Sequence, residues 1–120
     1  MLAADIRSTL ETLISDLGRG TVSRALQTLV RDLPTQLAEL RMKATAGDPV
    51  EFKRLAHNLK GRCGMLGLES FRKTVYLLEQ SSQDSTPNRR LALLDELDAS
   101  AKELVPDLSI FLKELTAHAD

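Results

Sequence analysis

The sequence predicts an all-α protein, an antiparallel up-and-down four-helix bundle with a short extra helix at its N-terminus. Three observations carry that expectation. Apolar residues recur at spacings of three and four between turn signals, glycine and proline fall at the joints, and apolar and polar residues nowhere alternate over several positions.

Ile6, Leu10, Leu13, Ile14 and Leu17 share one helical face, and Gly18 follows as a left-handed terminator, which predicts a short first helix. Thr21 is the expected cap of a second helix with the stripe Leu26, Leu29, Val30, Leu33, Leu37, Leu40 and Ala44. That stripe crosses Pro34. Proline removes one backbone hydrogen bond, so either a kink near Asp32-Leu33-Pro34 or a break into two helices is expected.

Gly47-Asp48-Pro49 supplies a stop, a cap and a proline at the first helical position, so a third helix is predicted from about Pro49 to Leu66. Gly67 separates it from a fourth stripe, Leu68, Phe71, Val75 and Leu78, which a polar loop from Ser81 to Ser85 ends. Thr86-Pro87 opens the last helix, with apolar positions 91, 94, 97, 101, 104, 108, 111, 112 and 115 and an expected kink at Pro106.

A chain of 120 residues fits one domain, here residues 1–120. With 42% hydrophobic and 28% charged residues it reads as a folded, soluble helical protein rather than a disordered one. The first residues lack a secretory profile and no apolar run approaches a membrane span, so a cytoplasmic monomer is expected. Cys63 is the only cysteine, which excludes an internal disulfide and a paired-thiol metal or redox site.

The net charge of −1 gives no nucleic-acid footprint, yet the charge is unevenly spread. From Asp48 to Lys73 six basic residues face three acidic ones; from Leu91 to Asp120 seven acidic residues face two basic ones. The middle of the chain is suited to a negative partner.

At about 100° per residue, Phe52, Leu55, Leu59 and Leu66 cluster on one side of the third helix and His57 falls near the opposite side, facing water. A lone histidine is normally structural or incidental, but a core role conflicts with this phase. Lys60 and Gly61 follow His57 at i+3 and i+4, Gly64 at i+7, and Lys53 and Arg54 lie one turn earlier. Each interior glycine costs about 1 kcal/mol of helix stability relative to alanine, so two beside one histidine point to open space for an approaching group. An exposed imidazole with an ordinary pKa of about 6.5 is mostly neutral near pH 7 and nucleophilic. A lysine one turn away would stabilise phosphate oxygens.

Ala56-His57-Asn58-Leu59-Lys60-Gly61, followed by Gly64, Leu66, Gly67 and Leu68, resembles the signature of bacterial histidine phosphotransfer (HPt) domains. Asp32-Leu33-Pro34, Leu37, Leu40, Ala44 and Gly47-Asp48 upstream, and Phe71 and Leu78-Glu79 downstream, extend the likeness to about residues 26 to 80. The resemblance implies a four-helix bundle, phosphorylation of His57 on its outer ring nitrogen, Lys60 as phosphate neighbour and Gly61 as the gap that admits a receiver domain. It implies a hybrid sensor kinase and a response-regulator receiver domain as partners. No cofactor of its own is expected; a divalent cation such as Mg2+ would sit in the receiver.

Lys53, Arg54 and Gly64 are the expected partner-binding residues. The sequence departs from the family pattern at Arg62-Cys63, with Cys63 turned to the core and Arg62 on the flank. Glu79 is expected to be solvated, the other reading being a bond to the inner ring nitrogen.

Three other classes compete. A histidine-kinase phosphoacceptor domain usually follows its histidine with an acidic residue, where Asn58 stands here, and the chain has no nucleotide-binding loop, so ATP-dependent autokinase activity is not expected. A non-catalytic helical adaptor would dock an acidic partner through the same basic face, with His57 incidental. A metal-binding bundle is disfavoured because no ExxH pair is present and His118 has only Glu114 one turn away.

Overall fold

The computed structural model describes residues 2–117, and every regular element among them is helical. These are α1 (Ala4–Leu17), α2 (Arg19–Ala46), α3 (Pro49–Met65), α4 (Glu69–Gln80), a 3-10 turn (Ser81–Gln83) and α5 (Asn88–Ala117). His118 lies outside the described residues.

α2 packs on α3, α3 on α4, α4 on α5, and α5 returns to α2, so the four helices close a ring around one core. The predicted stripes supply that core: Leu26, Leu29, Leu33, Leu37 and Leu40 from α2, Phe71, Val75 and Leu78 from α4, and Leu94, Leu97 and Leu108 from α5 are all buried. Leu93, outside the predicted stripe, is buried too, while Leu91, Leu104 and Leu112 are only partly covered. The 30-residue α5 is about 45 Å long at 1.5 Å per residue and accounts for most of the 51 Å long axis.

The joints differ from expectation in three places. Thr21 does not cap α2; it lies exposed inside a helix that starts at Arg19. Gly18, at φ 90 and ψ 152, is not left-handed but occupies a region open essentially to glycine alone, and its carbonyl accepts from Val22 N–H at 3.3 Å. One residue therefore turns the chain from α1 into α2. Pro34 does not split α2, and α5 runs unbroken through Pro106. Both prolines stand on the exposed side, where the buried neighbours Leu33, Leu37 and Leu108 keep each helix packed.

The expected polar loop from Ser81 is instead a 3-10 turn in which Ser81 and Ser82 are buried. Ser81 Oγ donates to the Leu78 carbonyl at 2.6 Å. Arg90 donates to the carbonyls of Ser81 at 3.0 Å, Asp84 at 3.1 Å and Ala44 at 3.4 Å, which satisfies these three backbone acceptors around the turn.

The α3–α4 turn is the tightest joint. Leu68 N–H donates to the Cys63 carbonyl at 2.9 Å and Gly67 N–H to the Gly64 carbonyl at 3.2 Å, the paired bonds of a left-handed glycine cap, with Gly67 at φ +73. Thr9 of α1 lies directly against Gly67. Arg7 lies 5.0 Å from the centre of the Phe111 ring and 3.4 Å from Glu114, so α1 bridges the α3–α4 turn and the last part of α5.

Gly67→Ala should therefore destabilise by about 2 kcal/mol or more, the combined effect of left-handed strain and overlap with Thr9. Urea melts should show that adding Thr9→Ala recovers only part of the overlap, since the Cβ of residue 9 stays 2.9 Å from the added one, and leaves the backbone strain in place.

Candidate functional site

Left-handed Gly47 ends α2 at φ 72, Pro49 takes a first-turn position of α3, and the Asp48 side chain accepts from Glu51 N–H at 3.1 Å. This start sets the phase of α3. Phe52, Ala56, Leu59 and Cys63 turn into the core, while the His57 side chain remains 65% exposed. Burial pushes the Cys63 thiol up to about 12, so it behaves as a small apolar residue.

α4 completes the site by carrying Glu79 to His57. Its Oε2 is 3.1 Å from His57 Nδ1, and its Oε1 is 2.7 Å from Lys60 Nζ. The Glu79 side chain is 12% exposed, so the solvated reading of this residue is overturned. Packing of α4 on α3 is the reason: residue 79 follows Val75 by one turn at the edge of the buried stripe, where it faces α3. Burial opposes the charged form of Glu79, but the bonds from Lys60 and His57 outweigh it and hold its pKa below the ordinary carboxylate value.

An ionised carboxylate only accepts hydrogen bonds, so the neutral His57 ring must carry its proton on Nδ1. The lone pair is then on Nε2, across the ring from Glu79. Lys60 is fixed on a second side by Tyr76, whose ring centre lies 5.3 Å from Nζ. Tyr76 and Glu79 occupy successive turns of α4 and hold the lysine together.

The two glycines beside His57 differ. A Cβ on Gly61 would meet nothing within 4 Å, whereas one on Gly64 would lie 3.0 Å from Arg72 Cδ. Open space is therefore present at Gly61 and not at Gly64, because the tight turn at Gly67 brings Arg72 of α4 over the latter. Lys53 is exposed and has no ion-pair partner among the described residues. Arg54 is exposed but paired with Glu51, its Nε 2.9 Å from Oε2. Arg62 reaches across to Asp32 of α2 at 3.8 Å.

The family model for the Hpt domain matches residues 24–103. The chain belongs to the Hpt domain family. The matched span runs from α2 into α5 and holds His57, Lys60, Gly61 and Glu79, while α1 precedes it. No curated protein and no solved structure matches the chain. Hpt domains are phosphocarrier modules, not autokinases, so this chain has a histidine phosphotransfer role in two-component phosphorelay signalling. No helix among its described residues is long and apolar enough to cross a membrane.

Tyr76 and the Ser81–Gln83 turn were not assigned to the site by sequence reasoning, and for Glu79 the bond to the inner ring nitrogen was only the second reading. The available signal for Glu79 was its place one turn after Val75, on the border of the α4 stripe.

The glycine geometry predicts a stability difference. Gly61→Ala should stabilise the Hpt domain by up to about 1 kcal/mol, since its Cβ enters open space and improves helix propensity. Gly64→Ala should gain less or nothing, because Arg72 has to move. Thermal or urea melts of the two variants check this order.

Proposed function

We propose that His57 accepts a phosphoryl group on Nε2 from the phosphoaspartate of a receiver domain and passes it to the aspartate of a response regulator. A single observation carries the reading: an exposed imidazole whose Nδ1 faces the Glu79 carboxylate, beside the bare backbone of Gly61. In the forward step the Nε2 lone pair bonds to phosphorus while the bond from phosphorus to the aspartyl oxygen breaks, returning a carboxylate to the partner. The ring then carries positive charge with its proton still on Nδ1. Glu79 balances that charge, and in the reverse step the ring leaves neutral.

Lys60 stands as the phosphate neighbour. Its ammonium has three donors, and the one turned to Glu79 leaves others for phosphate oxygens. Lys53 and Arg54 serve the encounter with an acidic partner, Arg54 with its charge shared with Glu51. Gly64 presents the stem of Arg72 at the docking surface rather than bare backbone. The receiver holds the divalent cation, such as Mg2+, and a hybrid sensor kinase supplies the phosphoryl group. The arrangement that goes with this role is an antiparallel up-and-down bundle; the ring of helix pairings and the short turns at Gly47-Asp48 and Leu66–Leu68 support it.

His57→Gln should abolish phosphate acceptance from a phosphorylated receiver while changing stability by no more than about 0.5 kcal/mol, because the side chain is exposed. Gly61→Gln should block transfer with stability held or raised. A labelled His57→Gln variant would refute the site, and one that binds the receiver as wild type does would separate the carrier role from simple docking.

A further inference from the structure

On the side of His57 away from Gly61, toward the start of α3, a groove of about 950 Å³ opens in the surface. One wall is α3, with Phe52, Lys53 and Arg54; the other is the segment Gln83–Ser85 together with Arg90 of α5. Nothing in the proposed transfer step uses this space. A flat protein surface laid over His57 would leave it as a void or a pool of water, neither of which contributes to docking.

The chemistry of the walls limits what fits. Of the four cations that line the groove, Arg54 is paired with Glu51 and Arg90 donates to three backbone carbonyls. Lys53 has no ion-pair partner among the described residues, and Lys43 makes no close ion pair but shares the Glu51 charge with Arg54. The acids are all engaged: Glu79 with His57 and Lys60, Asp84 with Arg89, which lies outside the groove, and Asp48 as the cap of α3. Four cations thus face three carboxylates along the lining, and the balance of charge in the groove is positive. Its lip also carries apolar surface, from the exposed Pro49 and the 79% exposed Val50. Ser82 lies in the wall, buried, with a hydroxyl that has no hydrogen-bond partner.

We propose that this groove receives a protruding acidic segment of the receiver-domain partner, with carboxylates toward Lys43 and Lys53 and an apolar side chain against Pro49 and Val50, so that partner choice is read beside His57. The proposal rests on the reading of His57 as phosphoacceptor. Charge complementarity favours this occupant, and the mixed lining favours a peptide segment over a small inorganic anion, which would leave the apolar part unfilled. The groove adjoins the acceptor. A segment seated in it is held within reach of the reacting ring, and a partner with a basic or shorter segment is rejected by unpaired charge or empty volume.

The test uses the full chain and a receiver domain phosphorylated on its aspartate, with initial transfer rates measured against receiver concentration at low and high salt. Lys43→Glu should raise the receiver concentration for half-maximal transfer about tenfold near 0.01 M salt and much less at high salt, where charge is screened. Exchange of an acidic residue for lysine in the receiver's segment should restore it. Gln83→Trp, an exposed change that fills the groove without touching the core, should raise the same concentration at both salts. If both variants stay within twofold of wild type while Gly61→Gln blocks transfer, the groove is not used and the proposal falls with the carrier reading intact. If the wild-type chain takes no phosphate from any receiver, the carrier reading fails and takes this one with it. Self-association of the wild-type chain, lost in Gln83→Trp by sedimentation, would assign the groove to a second copy and overturn the proposal.

Discussion

The contact on which the site depends is the Glu79 carboxylate set between α3 and α4. One oxygen faces His57 Nδ1 at 3.1 Å and the other faces Lys60 Nζ at 2.7 Å. A carboxylate that is only 12% exposed has lost much of its water, so the hydrogen bond with His57 and the ion pair with Lys60 stand in for what water no longer provides. The same contact orders the nucleophile. It holds the imidazole in one tautomer, leaves Nε2 free, and keeps the lysine within one turn of it.

Everything that brings Glu79 to this place is backbone geometry decided some distance away. Gly47, Asp48 and Pro49 start α3 with a phase that turns Phe52 and Leu59 inward and His57 outward. Gly67, left-handed and tightly capped, turns the chain back so that α4 lies along α3 with Phe71, Val75 and Leu78 in the core. Glu79 follows Leu78 directly. The depth to which Leu78 is buried therefore sets how far the carboxylate reaches, which ties the chemistry to the packing of one leucine. Arg90 fixes the far end of α4 by bonding to the Ser81 and Asp84 carbonyls, so the helix cannot unwind past Glu79 without stranding those groups.

The helices were legible because the apolar stripes are regular and the joints carry glycine and proline. The stripe of α4 matches its buried residues; that of α2 is buried apart from the partly covered Val30, and it misses Val22 and Ser23, which are buried as well. What failed were local signals that tertiary packing overrode. Thr21 has the chemistry of a cap, but Gly18 turns the chain sooner; Ser81 and Ser82 are polar, yet Arg90 satisfies the carbonyls around them and allows burial. Outward placement of His57 followed from phase alone. Glu79 did not, since its environment depends on how close α4 approaches α3, and no periodicity within α4 contains that distance. Gly64 failed for the same reason: its spacing from His57 equals two turns, but what covers it comes from Arg72 on another helix.

If Glu79 fixes the tautomer, then the reactive nitrogen is decided before any partner arrives. Long-range 1H–15N correlation spectra of the 15N-labelled chain, recorded before and after incubation with a phosphorylated receiver, test that directly. The account predicts a neutral His57 ring with its proton on Nδ1, and after transfer a phosphoryl group on Nε2 of the same ring. A proton on Nε2 in the resting protein, or phosphate on Nδ1 or on another residue, would contradict it.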